Sequence, residues 1–68
     1  MTLTIELEQE QDGRWIAEVP ELPGVVVYGG TQAKATQLVR ALALSVLADR
    51  IESGELDAAS FDSVSFAA

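Results

Sequence analysis

Sixty-eight residues make one small domain, which buries only about 60% of the surface its unfolded chain exposes. The chain has no cysteine and no histidine; this excludes disulfides, thiolate metal sites and imidazole ligands, and leaves oligomerisation or a partner as the reinforcement a small core needs. The formal charge is −7, and the four basic residues (Arg14, Lys34, Arg40, Arg50) are too scattered to displace counterions from phosphates, so direct nucleic-acid binding is not expected while a basic protein partner suits the acidic surface.

The opening MTLTIELEQE lacks the basic start and apolar core of a signal peptide, and no apolar run approaches the ~20 residues of a membrane span. A cytoplasmic chain without membrane association is the expectation. Residues 2 to 8 alternate, with Leu3, Ile5 and Leu7 on one side and Thr2, Thr4, Glu6 and Glu8 on the other, which predicts a half-buried strand. Asp12-Gly13 tolerates the positive φ of a hairpin turn. Residues 14 to 19 form the return strand, with Trp15, Ala17 and Val19 facing one way and Arg14, Ile16 and Glu18 the other.

The stretch EVPELPGVVVYGGT, residues 18 to 31, holds both prolines and three of the five glycines. Pro20 cannot donate to a ladder and ends the second strand. Pro23-Gly24 suits a tight turn, and Leu22 between the prolines is placed to anchor the loop in the core. Val25 to Tyr28 read as a third strand, and their unbroken apolar run predicts one covered on both faces or central. Gly29-Gly30 then frees the chain so that Thr31 caps a helix from about Gln32 to Ser53, stopped by Gly54.

Along that helix Ala35, Leu38, Val39, Leu42 and Val46 form a stripe expected to cover the sheet. Leu44, Leu47, Ala48 and Ile51 lie roughly opposite, which predicts a second cover: a homo-oligomer interface, or the tail with Phe61, Val64 and Phe66. The tail reads as a short fourth strand in which Val64 and Phe66 alternate with Ser63 and Ser65.

Chemistry finds little purchase. Lys34 is the sole lysine, so no nucleophile–base pair of the familiar kinds can be assembled. Glu6 and Glu8 share a strand face, where a solvated, anti-aggregation role suffices. YGGT lacks the longer glycine loop and Gly-Lys-Ser/Thr of a phosphate site. The aromatics Trp15, Tyr28, Phe61 and Phe66 each read as core. No catalytic residue, metal or cofactor is assigned, and the chain is not expected to be an enzyme.

Taken in order, a strand, an Asp-Gly turn, a strand ending in VPELPG, a strand ending in YGGT and an Ala/Leu-rich helix resemble the HicB antitoxin family. The matching residues are Pro20, Glu21, Leu22, Pro23 and Gly24, then Gly29, Thr31 and Ala35, and the resemblance spans about residues 3 to 52. Val25 stands where the family often has cysteine, Gly30 where it has an acidic residue, and QAKA replaces an acidic first helical turn. The resemblance implies an α+β domain in which a three-stranded antiparallel sheet is packed by one long helix, a partial ribonuclease H-like fold, with the tail as a possible fourth strand. It further implies an antitoxin that binds a small basic toxin that cleaves messenger RNA. With roughly fifteen residues after the helix, the DNA-binding domain of longer relatives is not expected in this chain. Glu6, Glu8, Glu10, Asp12, Glu18 and Glu21, on the first two strands and the loops that follow them, are the expected partner-binding residues. The alternative is a solitary structural or regulatory homo-oligomer, dimer or higher, with no toxin.

Overall fold

The alternation of Leu3, Ile5 and Leu7 persists in space, but the strand carrying it divides at Ile5. The structure is a computed structural model that describes residues 1–57, 59 and 62–68. Its elements are strands β1 (Thr2–Thr4), β2 (Glu6–Gln9), β3 (Trp15–Glu18) and β4 (Val26–Gly29), helix α1 (Gln32–Glu52) and strand β5 (Ser65–Ala67). The α+β class holds: β2-β3-β4 form an antiparallel sheet packed against α1. β1 instead pairs in parallel with β5, the tail strand, with Thr2 opposite Ser65, Leu3 opposite Phe66 and Thr4 opposite Ala67. Ile5 belongs to both regions, since it is buried and its N–H donates to the Ala67 carbonyl at 2.7 Å.

The split has a local cause. The register that sets Glu6 opposite Glu18 would set Thr4 opposite Pro20. Proline has no N–H and leaves the strand there, so the ladder stops. The Thr4 amide finds another acceptor in the side chain of Glu21, at 3.0 and 3.2 Å to its two oxygens, and the Thr4 hydroxyl donates to the same carboxylate at 2.7 Å. Beyond Pro20 the loop folds on itself, with the Leu22 N–H on the Val19 carbonyl, the Val25 N–H on the Leu22 carbonyl and Leu22 buried. Gly24 has φ +91°, the left-handed region that glycine enters without strain.

The hairpin turn lies over Glu10 to Gly13. Gly13 N–H donates to the Glu10 carbonyl, Glu10 N–H to the Arg14 carbonyl, and Gly13 sits at φ +92°. At the helix entry the Thr31 hydroxyl accepts from the Lys34 N–H at 3.0 Å. At its exit Ser53 is the C-cap and Gly54 takes φ +81°.

The core is Leu3, Ile5, Ala17, Val19, Leu22, Val25 and the helix row Ala35, Val39, Ala43 and Leu47. That row corrects the expected stripe. Steps of four residues advance 40° around a helix of 3.6 residues per turn, so a buried row at that spacing winds. By its end it has reached Leu47, which is 4% exposed and faces the sheet instead of a second subunit. Leu38, expected inside, is 37% exposed; Leu42 and Val46 are half-buried against the core. Val64 and Phe66 also pack on the core, and the Arg40 guanidinium lies 5.7 Å from the Phe66 ring centre. Phe61 lies outside the described residues. Of the other residues expected at an oligomer interface, Leu44 and Ala48 are exposed and Ile51 is half-buried.

The third strand is a second correction. β4 borders only β3, so it is an edge strand and not a central one. Val25 ends up buried and Val27 half-buried, but Val26 and Tyr28 face outward, so Tyr28 is not core.

Candidate functional site

Helix α1 covers one face of the three-stranded sheet, and no described element covers the other. Strand alternation decides which side chains lie there. The register builds two rows across the uncovered face: Glu6, Glu18 and Val26, then Glu8, Ile16 and Tyr28. Leu7, Ala17 and Val27 form the row between them on the helix side. The uncovered face therefore grades from a carboxylate margin on β2 to an apolar margin on β4. A shallow recess over the acidic side is lined by Glu6, Leu7, Glu8, Ile16 and Glu18.

Glu6 and Glu18 stand directly opposite each other. Like charges at directly opposed positions destabilise a strand pair. No cation relieves them: among the described residues the one ion pair is Arg14 Nε to Asp12 Oδ2 at 2.8 Å, at the hairpin end. Arg14 also stacks over Tyr28, 4.7 Å from the ring centre, closing that end of the face.

The six carboxylates expected to meet a partner thus divide into three groups. Glu6, Glu8 and Glu18 come together on the uncovered face. Glu10 lies in the hairpin turn, where Asp12 is already engaged. The Arg14 amide donates to Asp12 Oδ1 at 3.0 Å, and this bond, with the guanidinium added, holds its carboxyl below the usual range. Glu21 is occupied by Thr4, whose hydroxyl first and amide second lower its pKa. Pro20, Leu22, Pro23, Gly24, Gly29 and Thr31 are all in turns, packing or the helix cap, as joints of the fold.

Gly29 has a specific task. A Cβ placed on it would come 2.5 Å from Ala35 N and 2.8 Å from Ala35 Cα. Only glycine lets the first turn of α1 lie this close to β4. Ile16, Val26 and Tyr28 are the face residues that sequence reading passed over. The signal for the last two was the alternation inside VVVY, hidden because both alternating sets are apolar.

Among the described residues no three carboxylates converge on a point where a metal ion could sit, and no helix is long and apolar enough to cross a membrane. No family model, curated protein or solved structure matches this chain.

Proposed function

We propose that this chain is a protein-binding module of the antitoxin kind, whose uncovered sheet face takes a basic partner. The observation that carries the reading is the opposed pair Glu6 and Glu18, with Glu8 beside them, on a face no described element covers. A solvated face could hold any polar residues there; two uncompensated carboxylates in direct opposition cost stability that a cationic partner would return. The net charge of −7 adds long-range attraction to the same partner. The resemblance of Pro20–Gly24, Gly29 and Thr31 to the HicB antitoxin pattern implies that this partner is a small basic toxin that cleaves messenger RNA. Binding there would occupy the toxin's cationic surface, which it needs for phosphate contacts.

The test is co-expression with a small basic RNA-cleaving protein encoded beside it. The reading expects a co-purifying complex, rescue of growth, and weaker binding both at raised salt and in a Glu6→Lys, Glu8→Lys variant. A folded chain that neither co-purifies nor restores growth removes the proposal. The second reading is a solitary homo-oligomer without a toxin; exposed Leu44, at 49% exposure, and Ala48 support it.

A further inference from the structure

The strand edges of this fold are not treated alike. β1 is flanked on one side by β5, and on the other its Thr4 amide is capped by Glu21. The edge strand β2 carries Glu6 and Glu8, with Glu10 just past its end, and charge on an edge strand opposes pairing with another chain. β4 carries no such device. From Val25 to Gly30 it has no charge and no proline, in a chain whose net charge is −7.

Part of its backbone is also set for pairing. The Val19 N–H donates to the Val25 carbonyl at 3.1 Å, so by ladder alternation Val27 and Gly29 bond toward β3 while Val26 and Tyr28 direct their backbone groups outward. Val26 N–H turns back to the Gly24 carbonyl at 3.1 Å, and among the described residues Tyr28 has no such partner. The side chains of the same two residues are 39% and 48% exposed.

We propose that β4 pairs antiparallel with β4 of a second copy, about a two-fold axis through Val27, to make one six-stranded sheet. The occupant follows from self-complementarity and charge. This register sets Val26 of each copy opposite Tyr28 of the other, an aromatic–β-branched pair that favours strand association, and it does so twice. Val27 meets its own counterpart on the helix side. Two strongly acidic chains repel, so close contact costs least at an uncharged edge; β4 and β5 are both such edges, and β4 is the longer and the one that exposes two large apolar side chains, Val26 and Tyr28. The arrangement goes beyond the proposed function and is compatible with it, because both acidic margins remain at the outer ends of the joined sheet.

Sedimentation velocity and light scattering on the full chain should give twice the 7.2 kDa chain mass. Tyr28→Glu should raise the dimer dissociation constant by about tenfold, since the change removes both aromatic–β-branched pairs across the new edge, while circular dichroism stays that of the folded chain. The chain has no cysteine, so Val27→Cys gives a clean second test. Opposed non-hydrogen-bonded residues lie about 4.5 Å apart at Cα, within disulfide reach, and mild oxidation should link Val27→Cys chains into covalent dimers. Val26→Cys and Tyr28→Cys should each fail to link alone and link when mixed. A wild-type chain that stays at 7.2 kDa, or a dimer that survives Tyr28→Glu and leaves Val27→Cys unlinked, overturns the proposal.

Discussion

The Glu21 carboxylate takes both hydrogen-bond donors of Thr4, its amide at 3.0 Å and its hydroxyl at 2.7 Å. This contact fastens the Pro20–Gly24 loop to β1 where the ladder has run out. Its strength depends on pH with a definite sign. The folded-state pKa of Glu21 lies below its ordinary value, so its contribution is complete above that ordinary value and is lost as pH falls through the folded one. Wild type should therefore be more stable than Glu21→Gln at pH 7, and the gap should close in acid below the usual carboxylate range. Urea unfolding at a series of pH values reads the gap; one that stays constant into acid contradicts the assignment.

Gly29 lets helix and strand approach, and Gly30 does not have that task. A Cβ on Gly29 meets the Ala35 backbone, whereas one on Gly30 meets nothing within 4 Å. Gly29→Ala should cost about 1–3 kcal/mol as the first helical turn is forced away. Gly30→Ala should stay within about 0.5 kcal/mol of wild type. Chemical denaturation of the two variants side by side checks the contrast.

Leu44 and Leu47 look equivalent in sequence and lie on adjacent parts of the helix surface, yet Leu47 is buried and Leu44 exposed. Leu47→Ala should lose about 2–5 kcal/mol by opening a cavity under the sheet. Leu44→Ala should change the stability of the isolated chain by no more than about 0.5 kcal/mol. Equal losses in thermal or urea unfolding would mean that the helix is rotated from the position described.

Glu18 should trade stability against binding. Glu18→Lys converts the opposed like-charge pair with Glu6 into an attractive one, and should raise stability by roughly 0.2–1 kcal/mol. The same change should weaken a basic partner by about tenfold or more, because it puts a cation on the binding face. Denaturation and calorimetric titration on one protein sample test both halves.

The local chemistry of the fold was legible before the structure. Thr31 announced its cap, Asp12-Gly13 its turn, Pro20 and Pro23-Gly24 their loop, and each did so through backbone rules that act within a few residues. What was not legible depended on non-local partners. The strand over residues 2 to 8 alternates without a break, and nothing in it shows that Thr4 faces a proline sixteen positions on. Helix periodicity located the start of the buried row at Ala35 and Val39 but not its winding to Leu47, because Leu44 and Leu47 are equally apolar. VVVY read as a covered strand for the same reason. In the partner set, spacing placed Glu6 and Glu8 on one face, but only the register brought Glu18 across to join them, and only the folded loop diverted Glu21 to Thr4.

The parallel pair β1–β5 also sets an order of events. Thr2 and Ser65 stand 63 positions apart, so their meeting closes nearly the whole chain into a loop, whereas the β2–β3 hairpin closes across a short turn. Loop-closure entropy grows with length, and contacts of long separation are made after local ones have reduced it. Hairpin, β4 and helix can assemble first, with the flanking pair arriving on the far side of the rate-limiting barrier. Leu3→Ala and Phe66→Ala should then accelerate unfolding and leave the refolding rate almost unchanged, whereas Ala17→Gly in the central strand should slow refolding. By the same reasoning β5 (Ser65–Ala67) is expected to be the first strand to separate when the domain unfolds.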